Sequence, residues 1–221
     1  MSGEQLAVVS VVTVGKFNPS IAQPSWFASE GLITKAEADA AQIEVIHPEV
    51  SDFTVLSPDA GGGGALRVQM LRERLYIATE DARLYEMTRD LSVGILTLLR
   101  HTPISKLGIN YDCHVNLPSD DARNALGRRL APQDPWNDAL RDPALLSLSM
   151  KSARPDGLEG HIVVKVEPSA RFPFGVFVAV NDHFDISAPD GYGAEKVVDV
   201  LKTAWDPSLK RSREVLAKVT K

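Results

Sequence analysis

The stretch LGINYDCHVNL, Leu107 to Leu117, decides the fold: Leu107, Ile109, Tyr111, Cys113, Val115 and Leu117 alternate with Gly108, Asn110, Asp112, His114 and Asn116. A period of two sends the first set to one face of a β-strand and the second to the other. Such a strand belongs to a sheet packed on one side only, and a sheet of that kind is antiparallel, because parallel sheets are covered on both faces.

Working outward, the β-branched run Ala7 to Val14 reads as a strand in the middle of the sheet. Ile43 to Leu56 and Leu66 to Thr79 read as two more, joined by the loop Pro58-Asp59-Ala60-Gly61-Gly62-Gly63-Gly64. Within the second, the apolar set Leu66, Val68, Met70 changes phase to Leu71, Leu75, Ile77, which predicts a bulge or tight turn at Arg72-Glu73-Arg74. Three later runs have strand character: Leu145 to Lys151, His161 to Glu167 and Val176 to Ser187.

Helices are announced by their caps. Asp81 precedes an apolar stripe of Leu84, Met87, Leu91, Ile95, Leu98 and Leu99, which predicts a helix over about 82–100, closed before Pro103. Ser119 caps an acidic-start helix to about Leu130, and Asp134-Pro135-Trp136 opens a short helical turn. A last helix begins near Ala194, with a restart expected at Asp206-Pro207. Between Lys16 and Gln42, Pro19, Pro24, Gly31 and the capping-box spacing of Thr34 and Glu37 describe an excursion from the sheet.

Strands thus come in groups, not in one-for-one alternation with helices. The expectation is one α+β domain over 1–221, a mainly antiparallel sheet of about six or seven strands with helices packed on one face. The excursion occupies about 16–42 and the C-terminal helical segment about 194–221.

Composition narrows the function classes. The 221 residues are 44% apolar and 24% charged, an ordinary globular balance far from that of a disordered chain. A net charge of -5 gives no global positive field to gather nucleic acid, so the partners expected are a protein or a second copy of the chain. Cys113 is the single cysteine, which excludes a disulfide within the chain and a multi-cysteine zinc site. Glu4 stands where a signal peptide carries Lys or Arg, and no apolar run reaches membrane-spanning length, so the expected setting is cytoplasmic, without membrane contact.

Catalytic signatures are sparse. The run Gly61 to Gly64 lacks the Lys-Ser/Thr and the helix of a phosphate loop, and Ser147 and Ser149 lie in no nucleophile elbow. Cys113 falls on the packed face, where an apolar environment raises a thiol's pKa and leaves it inert. No cofactor motif is present, and none is expected to bind.

Three features remain. On the open face, Asn110, Asp112, His114 and Asn116 line up as a candidate interaction surface, which a plain solvated face explains more cheaply. Were the strands holding His161, His183 and Asp185 to lie beside it, Asp112, His114, His161, His183 and Asp185 would form a His/Asp metal site fit for hydrolysis. Trp26 and Phe27, in the excursion, either anchor a partner or fold back on the core. The basic segment with Lys202, Lys210, Arg211, Arg213, Lys218 and Lys221 reads as a solvated helix face or a docking site for an acidic surface. The reading with most support is a non-enzymatic protein-binding or assembly module; the alternative is the metal-dependent hydrolase.

Overall fold

The strand around Tyr111 runs from Ile104 to Val115 and lies in the middle of one antiparallel sheet of nine strands. The computed structural model describes residues 5–57, 63–136, 138–188 and 191–221; the expected loop at Pro58 to Gly62 lies outside them. In chain order the strands are β1 (Gln5–Gly15), β2 (Gln42–His47), β3 (Val50–Ser57), β4 (Gly64–Leu71), β5 (Arg74–Thr79), β6 (Ile104–Val115), β7 (Leu148–Ala153), β8 (Gly160–Pro168) and β9 (Val176–Asp185). Across the sheet they run β2-β3-β4-β5-β1-β6-β9-β8-β7, and every neighbouring pair is antiparallel.

Nine strands replace the six or seven expected because two long runs each fold into a hairpin. Residues 43–56 turn back at Pro48-Glu49, where His47 pairs with Val50. Residues 66–79 turn at Arg72-Glu73, where Leu71 pairs with Arg74, at the place where the apolar phase changes. Neither turn uses glycine or a residue of positive φ, since Asp142 is the one non-glycine residue with positive φ among those described. The Asn-Gly type of signal that marks most two-residue hairpins is therefore absent.

Among the described residues five α-helices accompany the sheet: α1 (Pro24–Ser29), α2 (Lys35–Asp39), α3 (Tyr85–Leu98), α4 (Asp120–Leu130) and α5 (Ala194–Val219). Val9, Val11 and Thr13 of β1 and Leu107, Ile109, Tyr111 and Cys113 of β6 are buried beneath α3 and α5. Phe53 of β3 points to this same face, packed edge-on against Phe27 of α1 at 5.2 Å between centroids. The excursion is pinned there by its own core contact, and by the Ser51 hydroxyl donating to the Ala22 carbonyl. Its capping box is complete, with Thr34 and Glu37 each satisfying the other's backbone N–H.

Two helical expectations change. Pro207 does not restart a helix, because α5 runs unbroken from Ala194 to Val219. Its missing N–H spares the carbonyl of Thr203, and both residues face solvent, while Ala204, Trp205, Ser208 and Leu209 pack against the protein and hold the helix together. Asp134-Pro135-Trp136 forms turns without a helix. Among the described residues no helix is long and apolar enough to cross a membrane.

Candidate functional site

Among the described residues the other face of the sheet carries no helix, and its residues follow from the strand register. One row reads Thr54, Arg67, Ala78, Ser10, Asn110, Asn181, Val163, Lys151. A second, on the side toward the C-terminus of β1, reads Asp52, Gln69, Tyr76, Val12, Gly108, His183, His161, Ala153. A third joins Val8, Asp112, Ala179, Lys165 and Ser149, and a fourth Leu6, His114, Phe177 and Glu167.

Much of this polarity is used internally. The Asn110 amide donates to the Ser10 hydroxyl at 3.1 Å, and its carbonyl accepts from the Asn181 amide. Gly108 makes room for that ladder, since a Cβ there would stand 3.1 Å from the Asn181 amide nitrogen. Near the β3 end, Asp52 accepts from Arg67 and Gln69. Burial works to raise its pKa, but those hydrogen bonds outweigh it and hold the carboxyl below the usual range.

Asp112 is different. It lies half-buried between Val8 and Ala179 with no cation opposite it, and burial pushes its pKa up to about 6. His114, two residues along, has its ring 4.7 Å from that of Phe177. The Ser169 hydroxyl accepts the backbone N–H groups of Arg171 and Phe172 and so gives its proton to His114 Nδ1, at 2.8 Å. Burial first, and then the charge of Arg171, lower the pKa of His114. Asn116 falls one residue past the end of β6 and so off the regular face.

The five candidate metal ligands separate into groups. His161 and His183 are directly opposed across β8 and β9, with ring centroids 4.5 Å apart. Asp185 shares the face two residues on, its Oδ1 3.3 Å from His183 Nε2. The ligand atoms of His161, His183 and Asp185 all lie within 4.8 Å of one another. Asp112 sits opposite Ala179, four residues from His183 along β9, a distance of about 13 Å at the rise of a strand. His114 is farther still, so the register brings three of the five together and leaves two apart.

The arm and the basic segment also resolve. Phe27 is fully buried, and Trp26 stacks edge-on against it at 5.2 Å. In α5, Arg211 points inward to Asp182 at 3.0 Å and Arg213 lies 5.9 Å from the ring centre of Tyr85, so part of the positive charge counted in sequence is spent inside the fold. Cys113 is buried, and burial pushes its thiol up to about 11.

One further cluster carried only a single signal in the sequence. Arg154, just past β7, pairs with Asp182 of β9 and with Asp156, and its guanidinium lies 3.6 Å over the Phe184 ring. Asp182 then bridges to Arg211 of α5. The apolar alternation of β9 reads straight through Asp182, which stands where a valine is expected; that single break was the signal available. No known protein family matches this chain, and no curated protein is significantly similar to it.

Proposed function

We propose that this chain is an assembly module that joins a second copy of itself, edge to edge, through β7. The observation that carries the reading is a difference between the two edges of the sheet. Edge strands expose unpaired backbone N–H and C=O groups, and stable monomers protect them with bulges, inward charges, proline or a covering segment. At β2 the pairing with β3 shifts register between Ile43 and Val45, Glu44 sits within the shift, and Pro48 ends the strand. At β7 the register with β8 is unbroken from Leu148 to Ala153, without bulge or proline, and Lys151 is its single charged residue.

The side chains at β7 point the same way. Leu148 and Met150 lie in register with Val166 and Val164, on the face that the helices cover farther in. Near this edge the cover runs out, leaving Met150 61% and Leu146 78% exposed. Burying side chains of this size is worth about 1.5–3 kcal/mol each, in addition to the backbone pairing.

The edge is also self-complementary. In a two-fold antiparallel pairing centred on Met150, Met150 of one copy meets Met150 of the other, Leu148 meets Ser152, and Ser149 meets Lys151. No lysine faces a lysine, so the like-charge penalty of cross-strand pairs does not arise. A two-fold contact of this kind closes on itself and stops at the dimer.

A metal-dependent hydrolase drawing on Asp112, His114, His161, His183 and Asp185 together has less support, because the register separates the first two from the rest. Sedimentation equilibrium tests the assembly reading. The wild-type chain is expected to be a dimer, and Met150→Asp, which sets two carboxylates against each other at the two-fold, to be a folded monomer. A wild-type monomer at all concentrations, or a dimer indifferent to Met150→Asp, contradicts it.

A further inference from the structure

We propose that His161, His183 and Asp185 form a binding site for a divalent first-row transition ion on the uncovered face of the sheet. Two imidazoles and one carboxylate are the ligand set that zinc, iron(II), cobalt(II) and nickel(II) take, leaving coordination positions for water or a ligand. Calcium and magnesium, which demand oxygen ligands, do not fit.

The geometry is close to what an ion requires. A tetrahedral ion with bonds near 2.0–2.1 Å holds its ligand atoms roughly 3.3 Å from one another. His183 Nε2 and Asp185 Oδ1 already stand 3.3 Å apart, and the third ligand atom, from His161, lies within 4.8 Å of both.

Backbone structure fixes the pair. Gly160, the residue before His161, has φ +130°, and a Cβ there would fall 2.1 Å from the His183 carbonyl oxygen. Only glycine lets β8 approach β9 so closely at this point, and that approach sets His161 opposite His183. Both histidines lie on inner strands and are half-buried, which restricts their rotamers before an ion arrives.

Two cations oppose the ion. Lys106 is the cross-strand partner of Asp185, and Lys151 shares the face of His161, two residues along β7 from its partner Ala153. They give the site a diagnostic property, because removing either one must tighten binding. A merely structural pair of stacked histidines has no such response.

Cobalt(II), added to the purified 221-residue chain, reads the site through its visible ligand-field absorption, with zinc as competitor. One saturable equivalent per chain is expected, displaced by zinc. His161→Ala and His183→Ala abolish it, Asp185→Asn weakens it about tenfold, and Lys106→Ala and Lys151→Ala each tighten it. The gains in affinity at the lysines are outcomes that misfolding cannot imitate. Absence of saturable cobalt binding, or binding retained when both histidines are replaced in a chain that still melts cooperatively, overturns the proposal. It stands independently of the β7 contact, since Met150→Asp leaves all three ligands in place.

Discussion

Arg154 and Asp182 form an ion pair in which each side chain is only 1% exposed. The pair ties the end of β7 to β9, and Arg211 extends it from Asp182 to α5. Two charges withdrawn from water recover the desolvation cost only while both remain, and removing one leaves the other buried and unpaired.

Asp182→Asn is therefore expected to lower the unfolding free energy by about 3–5 kcal/mol, measured by urea denaturation. Asp156→Asn, at the partly exposed end of the same network, costs less. Equal midpoints for wild type and Asp182→Asn would show that the network contributes nothing.

Asp112 gives the stability a pH dependence of known sign. Its folded-state pKa of about 6 lies above its ordinary 3.8, so the folded chain holds the proton more tightly than the unfolded one. This contribution is fully present below pH 4 and is lost as pH rises through about 6. Asp112→Asn is expected to raise stability at pH 7.5 by about 2 kcal/mol, with the gap closing toward pH 4. Denaturation curves at the two pH values check both the sign and the closure.

Phe27 separates an arm that anchors a partner from one that plugs its own core. With its ring fully buried against Phe53 and Trp26, Phe27→Ala is expected to destabilise the isolated chain by about 3–5 kcal/mol. Trp26→Ala, at the rim, costs less. Calorimetric melting of both variants decides, because a partner anchor leaves the melting temperature of the free chain unchanged.

Cys113 is expected to resist thiol reagents in the native state and to react on unfolding. Burial both raises its pKa to about 11 and closes access, and the thiolate is the reacting form. The rate of labelling by a disulfide reagent, with and without denaturant, measures this.

The α+β class and the two-faced character of β6 were legible in the sequence because burial on one side imprints a period of two. Caps were equally legible at Asp81, Ser119 and Thr34, where a side chain and a backbone N–H lie within three residues. The turn at Arg72-Glu73 showed as a change of apolar phase, whereas the one at Pro48-Glu49 was hidden, since it uses ordinary backbone conformations and leaves no glycine or asparagine behind. Pro207 misled because its effect on a helix depends on which side the freed carbonyl faces, and only packing reveals that.

The candidate site was half legible. The histidines and aspartates were visible as residues on polar faces, but their convergence depends on β9 lying between β6 and β8, a matter of strand order that no local pattern records. The same order places Asp182 within reach of Arg154, 28 residues away. Exposure of Met150 is likewise a property of where α5 stops covering the sheet, and an alternating run such as Leu146, Leu148, Met150 looks the same covered or bare.

The β7 contact is tested most directly by a cross-link at its two-fold. Facing positions in an antiparallel pair have Cβ atoms about 4.5–5.5 Å apart, near the range a disulfide spans. Under mild oxidation Met150→Cys is expected to give a covalent dimer in high yield, whereas Leu158→Cys, exposed but away from the axis, is not. A monomer after oxidation of Met150→Cys, or equal cross-linking at the two positions, contradicts the assembly reading.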